Sequence, residues 1–126
     1  MTTELPSLDD VVAEHLTRMR EEGRLNVRAE PRCRVCRDPQ VRPLVNELLT
    51  AKQLSGVIGP RLTYRDILAA LEPVNRARAP GDQITYSSLW VHSRRHFDVH
   101  VRKLAVEIYR DIQQRRARGE MEPINI

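Results

Sequence analysis

The sequence predicts an all-α protein, a small bundle of about four helices that ends in a long C-terminal helix. Apolar residues recur at helical spacing in four stretches, and serine, threonine or aspartate stands where those helices would begin. No segment shows the strong alternation of apolar and polar residues that is typical of a strand. At 126 residues the chain has the size of one domain, with room for helical additions at its ends.

The first predicted helix follows Ser7, whose hydroxyl can cap free amides, and Asp10 would complete a weak capping box. Gly23 is expected to end this helix. Residues 1–23 are therefore predicted to form an N-terminal amphipathic helix that serves packing or dimerisation. Its apolar face is expected to comprise Leu8, Val12, Leu16 and Met19.

The second and third helices have recognisable start signals. Asp38 followed by Pro39 is typical of a helix start, because proline suits the first turn. Residues 55–60 should interrupt this helix, and the third should follow Thr63. We expect it to end at Pro73, since the residue before a proline disfavours helical backbone.

The fourth helix is expected to be unusually long. Residues 73–84 are predicted to form a polar loop that carries Arg76 and Arg78. From Thr85 the chain then runs to Gly119 without an intervening proline or glycine. Such a length is large for a small domain, so the helix is predicted to project beyond the core.

Composition and charge narrow the class of protein. Hydrophobic residues make up 40% of the chain and aromatic residues only 4%, a composition that would gain from a metal staple. No apolar run reaches the roughly 18 residues of a membrane span, and the acidic N-terminus is unlike a secretory signal. We therefore expect a cytoplasmic protein with no membrane partner.

The net charge of +4 is unevenly distributed. Residues 1–22 carry six acidic and two basic side chains, or −4, and the rest carries 19 basic and 11 acidic, or +8. A basic body favours a polyanionic partner such as nucleic acid. An ordinary arginine-rich surface is the alternative.

Cys33 and Cys36 are separated by two residues, which indicates a redox pair, a disulfide or half of a zinc site. A redox pair needs a strand-to-helix context that is not predicted, and a reducing compartment disfavours a disulfide. His92 and His96 would share one helix face and can complete a zinc site, with His100 one turn further as a rival ligand. The sequence thus predicts one structural Zn²⁺ per chain.

The predicted zinc site would close a long loop. Fifty-five residues separate Cys36 from His92, and a clip across so long a loop gives a large entropic gain. The neighbouring Arg32, Arg34 and Arg37 are expected to lower the thiol pKa values and favour thiolate ligation. Buried free cysteines and unrelated surface histidines are the alternative.

Three segments, CRVCRDPQVRPLVNELL, LTYRDILAAL and ITYSSLWVHSRRHF, resemble zinc-stapled helix-turn-helix DNA-binding proteins of phages and bacteria. The resemblance runs from Cys33 to Phe97 and rests on the Cys-x2-Cys and His-x3-His spacings. It implies a helix-turn-helix-like domain over residues 24–100, in which the histidine-bearing helix contacts double-stranded DNA. Family members usually join the last two helices by a short turn, whereas residues 73–84 intervene here. Residues 101–126 would form a C-terminal helical extension with a basic tail.

A helical wheel separates the metal ligands from a set of candidate DNA contacts. At about 100° per residue, His92 and His96 fall on one side, and serines and arginines fall opposite. Arginine can bind phosphate or guanine, serine can donate to phosphate, and the loop arginines could act as a wing or minor-groove arm. A solvated polar face is the alternative. The candidates are Ser87, Ser88, Arg94, Arg95, Arg102, Arg76 and Arg78.

Beyond the histidines the sequence shows a heptad-like apolar seam, formed by Val101, Leu104, Ile108 and Ile112, which needs a partner surface. The N-terminal helix could cover it, either within one chain or from a second copy, and a dimer would suit a symmetric DNA site. We therefore predict a homo-oligomer, most simply a dimer. The candidate oligomerisation residues are Leu8, Val12, Leu16, Val101, Leu104, Ile108 and Ile112.

The leading functional hypothesis is a phage or bacterial transcription regulator, in the host cytoplasm if it is phage-encoded. One alternative is a DNA-packaging factor similar to a small terminase subunit, or another oligomeric assembly factor. Another is an interaction module that binds polymerase or a second regulator. No nucleophile–base pair or phosphate-cradling glycine loop is seen, and four protein ligands leave the zinc no open position. We therefore expect neither an enzyme nor a small-molecule substrate.

Overall fold

The computed structural model describes residues 4–27 and 30–123, and these form an all-helical fold, as predicted. The ends of the predicted terminal segments, residues 1–3 and 124–126, lie outside the described residues, as do residues 28–29. A short 3-10 turn, Pro80–Asp82, and a π-helical turn, His92–His96, accompany five α-helices. The helices are α1 (Leu8–Glu21), α2 (Val41–Ser55), α3 (Tyr64–Arg76), α4 (Tyr86–Val91) and α5 (Asp98–Ala117).

Side-chain caps fix the starts of α1 and α3. The Ser7 hydroxyl accepts the Asp10 amide at 3.2 Å, and the Asp10 carboxylate accepts the Ser7 amide at 3.1 Å. Thr63 and Asp66 repeat this arrangement at 3.2 and 2.8 Å. The capping box predicted at Ser7 is therefore present, and Thr63 with Asp66 forms a second one.

Asp38 prepares the start of α2. Its carboxylate accepts the amides of Gln40 and Val41 at 3.0 and 3.1 Å, and its carbonyl accepts the Arg42 amide at 2.9 Å. The side chain thus satisfies amides that have no partner within the helix.

α2 lies at the centre of the bundle and contacts α1, α3 and α5. The prediction that the C-terminal helix projects beyond the core is wrong, because α5 packs along α2. Its apolar seam is buried by the chain's own helices, in one core with residues from α1 and α2. Of the candidate oligomerisation residues, Leu16, Val101, Leu104, Ile108 and Ile112 are buried in this core, and Leu8 and Val12 pack half-buried against it.

α3 continues past Pro73, so the predicted end at this residue is wrong. Proline removes only the bond to the carbonyl four residues earlier, and both Ala69 and Pro73 are exposed, so water can satisfy that carbonyl. The last turn is held from outside the helix. The Asn75 side chain donates to the Ile84 carbonyl at 2.9 Å and accepts the Ile84 amide at 2.8 Å.

The expected continuous helix from Thr85 to Gly119 is interrupted at the histidines. The Phe97 amide donates to the His92 carbonyl at 3.0 Å, five residues back, which defines a π turn. Phe97 itself leaves helical backbone, with φ −121° and ψ −3°, and its side chain is fully buried. The interruption contains no proline or glycine, and the buried Phe97 side chain anchors its end.

None of the helices in the described ranges is both long and apolar enough to cross a membrane.

Candidate metal centre

A tight loop before α2 places the two cysteines side by side. The Arg37 amide donates to the Cys33 carbonyl at 3.0 Å, and the Cys36 amide points at the Cys33 sulfur at 3.4 Å. Val35, between them, is fully buried and fixes the loop to the core. Cys36 is buried and Cys33 half-buried, so one sulfur lies inside and the other at the edge of the site.

Four side chains converge at this loop, with one ligand atom of each within 4.8 Å of all the others. The Cys36 sulfur lies 3.3 Å from Nδ1 of His92 and 3.7 Å from Nδ1 of His96. The Cys33 sulfur lies 3.5 Å from the same nitrogen of His92. These four residues, the ligand set expected from the sequence, could therefore hold one metal ion.

His92 is oriented for ligation by Asn46 of α2. The Nε2 nitrogen of His92 lies 2.7 Å from the Asn46 side-chain oxygen, and the Asn46 amide group donates to the Leu25 carbonyl at 2.8 Å. Because that donation fixes the oxygen toward His92, Nε2 carries the proton and Nδ1 keeps its lone pair. Burial, with a smaller contribution from the charge of His96, lowers the pKa of His92 to about 4. The imidazole is therefore neutral near pH 7, as a metal ligand must be.

The expectation that arginines lower the thiol pKa values is wrong for Cys33. Burial raises the pKa of the Cys33 thiol, and this outweighs hydrogen bonds from backbone amides. The arginines are engaged elsewhere: Arg34 donates to the Gln83 carbonyl at 2.9 Å, and Arg37 pairs with Asp82 at 2.9 Å. A metal ion would therefore have to displace a proton from Cys33 in order to bind.

His100, the rival ligand, lies outside the cluster. It is exposed, and its ring stacks on Phe97 with 6.3 Å between centroids.

The cysteine loop is also tied to the loop between α3 and α4. The Arg78 guanidinium binds the Asp38 carboxylate at 2.7 and 3.1 Å, beside the start of α2. Only 16% of the Arg78 side chain is exposed, so this residue braces two loops and is not free to act as the wing or minor-groove arm expected for it. Arg76 is exposed and pairs with Glu72 at 2.7 Å.

The candidate DNA contacts on the histidine-bearing segment differ in availability. Ser87, Arg94 and Arg95 are exposed. Ser88 is half-buried and forms a capping box with Thr85. Arg102 is exposed but pairs with Asp98 at 2.9 Å.

The structure also reveals an exposed aromatic side of α4; the sequence had indicated Tyr86 as a possible phosphate contact or packing residue, but not Trp90. Tyr86 is 49% exposed and Trp90 is 41% exposed. The Arg94 guanidinium lies over the Trp90 ring, 5.7 Å from its centre. The spacing of Tyr86, Trp90 and Arg94, four residues apart along a helix, was the available signal.

Asn46 was missed as well, although a polar residue beside the apolar stripe of α2 could have indicated it. It is fully buried, and both ends of its amide are hydrogen-bonded. Histidines that bind a metal usually donate their other ring N–H to a hydrogen-bond acceptor of this kind, which sets the orientation of the ring.

Compared with known proteins, the chain matches no family model, no curated protein and no solved structure. The resemblance to zinc-stapled helix-turn-helix proteins stays a prediction.

Proposed function

We propose that this protein is a zinc-stabilised DNA-binding protein of the transcription-regulator class, which presents one side of α4 to double-stranded DNA. The observation that carries the proposal is the position of the metal cluster. It fixes the rotation of α4 and of the π turn that follows it, since His92 is turned inward while Tyr86, Trp90 and Arg94 remain outside.

Zinc fits the four donor atoms. Two thiols and two imidazoles suit this ion, and a tetrahedral zinc has bonds of about 2.3 Å to sulfur and about 2.0 Å to nitrogen. Such bonds separate a sulfur from a nitrogen by about 3.5 Å. Three of the four sulfur–nitrogen distances are 3.3, 3.5 and 3.7 Å and bracket that value, and the fourth is within 4.8 Å. With four protein ligands the zinc has a structural role.

The exposed side of α4 and of the π turn after it has the chemistry of a nucleic-acid contact. Among residues 4–27 and 30–123, no carboxylate forms an ion pair with Arg94 or Arg95. Their guanidinium groups are thus available to phosphates or guanine edges. Trp90 and Tyr86 add apolar surface beside them, which suits thymine methyl groups or sugar faces.

α3 supports α4 in a manner that fits a helix-turn-helix. The Tyr64 hydroxyl of α3 hydrogen-bonds the Ser93 hydroxyl at 3.0 Å, and the Tyr64 ring meets Tyr86 edge-on, 5.8 Å between centroids. In helix-turn-helix proteins the second helix enters the major groove while the first supports it. The longer loop between α3 and α4 is braced by Arg78 and Asp38, so it need not be mobile.

Fluorescence anisotropy of the zinc-loaded protein with a labelled mixed-sequence duplex tests the proposal. The double variant Arg94→Ala/Arg95→Ala should bind more weakly, and the slope of log K against log salt should flatten by about 2 if both side chains contact phosphate. Arg110→Ala/Arg118→Ala is the matched control, since both arginines are exposed on or at the end of α5 and the charge change is equal. The control should keep most of the affinity.

Absence of duplex binding at low salt, or equal losses of affinity in both double variants, would overturn the proposal.

Native mass spectrometry addresses the packaging alternative, which requires a large ring. In the described residues the seam of α5 is already buried against α2, so we expect no ring built on that seam. Dimerisation stays a prediction and would need another surface.

A further inference from the structure

We infer that the cleft between the cysteine loop and α4 binds a phosphate group. Insofar as that phosphate belongs to a DNA backbone, the inference rests on the proposed function. The cleft is open, has a volume of about 520 Å³ and is lined by basic and hydroxyl side chains together with two of the metal ligands. The lining residues that matter are Arg32, Arg34, Arg95, Ser87, Ser88 and Glu30.

The charge of the cleft favours an anion. Among the described residues, the cleft is lined by three guanidinium groups and one carboxylate, that of Glu30, an excess of two positive charges. A zinc ion bound by two thiolates and two neutral imidazoles adds no net charge. The metal centre at the cleft floor therefore does not cancel the positive potential.

The donors come from two walls and are partly preorganised. Arg34, on the cysteine-loop wall, is held by its bond to the Gln83 carbonyl at 2.9 Å, which leaves its other N–H groups for a ligand. On the other wall, Ser87 of α4 and Arg95 of the π turn are exposed. Several guanidiniums around one small space match the multiple acceptor oxygens of phosphate.

The metal cluster holds both walls in place. Cys33 belongs to one wall and His96 to the other, and both line the cleft. Because the cluster joins these walls, the spacing of the arginines depends on it. The phosphate affinity should therefore fall when the metal is removed.

The cleft also adjoins the exposed aromatic side of α4. The cleft is lined by Ser87, Val91 and Arg95. Tyr86 and Trp90 directly precede Ser87 and Val91 in the chain, so their exposed rings lie about 100° around the helix from the cleft. A backbone phosphate in the cleft would thus bring the aromatic side of α4 against the adjoining groove. Phosphate contacts of this kind set the position of a helix on DNA.

The first test uses inorganic phosphate and needs no DNA. In ¹⁵N NMR titrations of the zinc-loaded protein, phosphate should shift the amide signals of Ser87, Ser88 and the cysteine loop, whereas chloride at equal ionic strength should not. Arg32→Gln and Arg95→Gln should each weaken this binding about tenfold. Arg110→Gln, on the outer side of α5, makes the same charge change away from the cleft and should leave it unaltered.

A variant that removes a negative charge from the cleft should change phosphate affinity in the opposite direction. Glu30→Gln removes the carboxylate of the lining while keeping an oxygen that can accept the Arg32 amide, to which Glu30 bonds at 3.0 Å. It should tighten phosphate binding severalfold. Metal content and the circular dichroism spectrum must match the parent protein in every variant used.

The second test uses duplex DNA and separates the two proposals. Arg32→Gln should reduce the salt slope of duplex binding by about 1, and Arg110→Gln should not. If duplex affinity is unchanged in the Arg32 and Glu30 variants, and phosphate shifts no amide signals at the cleft, the inference is overturned while the proposed function is not. Phosphate binding at the cleft without duplex binding would support the site, assign it to a free phosphate or nucleotide, and reject the proposed function.

Discussion

The hydrogen bond between His92 and Asn46 should set the metal affinity of the protein. Asn46→Ala removes the acceptor that fixes His92 with Nδ1 toward the metal. Loss of an outer-shell partner of this kind costs about 10- to 100-fold in metal affinity. It also leaves the His92 N–H and the Leu25 carbonyl buried without partners, at about 1–3 kcal/mol each.

Two measurements report these effects separately. Competition with a chromophoric chelator gives the zinc affinity, and denaturant unfolding of the metal-free protein gives the stability. The affinity should fall by the factor above, and the free energy of unfolding should fall by about 2–6 kcal/mol in total, since two buried groups lose their partners. Asn46→Asp keeps an acceptor for His92 but loses the donor to Leu25, so it should retain zinc affinity while losing stability.

Thr50→Val is the matched control, one turn along the same helix. Thr50 is buried and donates to the Asn46 carbonyl at 2.8 Å, but it does not touch His92. This variant should lower stability and leave zinc affinity unchanged. If Asn46→Ala bound zinc as tightly as the parent, or if Thr50→Val lost as much affinity, the orienting role of Asn46 would be refuted.

Three further predictions follow from the packing and the charges. A strong chelator should lower the melting temperature of the parent protein, because a metal ion that binds only the folded state, at a concentration 100 times its Kd, stabilises it by about 2.7 kcal/mol. In calorimetry, Cys36→Ser should show no change in melting temperature when the chelator is added. The Arg78 guanidinium beside Asp38 holds the pKa of that carboxyl below its ordinary value. The stabilisation from this ion pair is therefore full above about pH 4 and is lost as the pH falls through the lowered pKa. In urea titrations the stability difference between the parent and Asp38→Asn should shrink over that range, and a constant difference would contradict this. Phe97→Ala empties a fully buried site and should cost about 3–5 kcal/mol, whereas Val99→Ala, at a site 61% exposed, should change stability by less than about 0.5 kcal/mol.

Local signals were enough to predict much of the fold. Ser7 and Thr63 are followed three residues later by aspartate, and both capping boxes form. The four residues of the candidate metal centre could be selected because the spacing of a cysteine pair, and of two histidines four residues apart, is visible without knowledge of distant packing. Their convergence is what the structure adds.

Features that depend on distant partners could not be predicted in the same way. The apolar seam of α5 was visible in the sequence, but periodicity does not show whether α2 of the same chain or a second copy will cover it. Arg78 illustrates the same limit for charge. Its partner, Asp38, is 40 residues away, and before the fold is known such an arginine cannot be distinguished from a solvated one.

The π turn is the one interruption that the helical wheel could have indicated. In an unbroken helix, at about 100° per residue, Val101 would lie about 180° from His92, although both side chains are buried. One extra residue in the turn removes about 100° of this difference and leaves the two faces about 80° apart. Deleting Arg95 should therefore give a continuous helix whose α5 still packs on α2.

Inserting an alanine after Arg95 should have the opposite effect. It would rotate α5 by about a further 100°, which turns Val101, Leu104 and Ile108 away from the core. The loss would approach the roughly 5–15 kcal/mol by which a domain of this kind is stable, so cooperative unfolding should disappear. Urea unfolding of both variants distinguishes these outcomes. If the deletion destabilised the protein as much as the insertion, the turn would not act as a one-residue correction of helical phase.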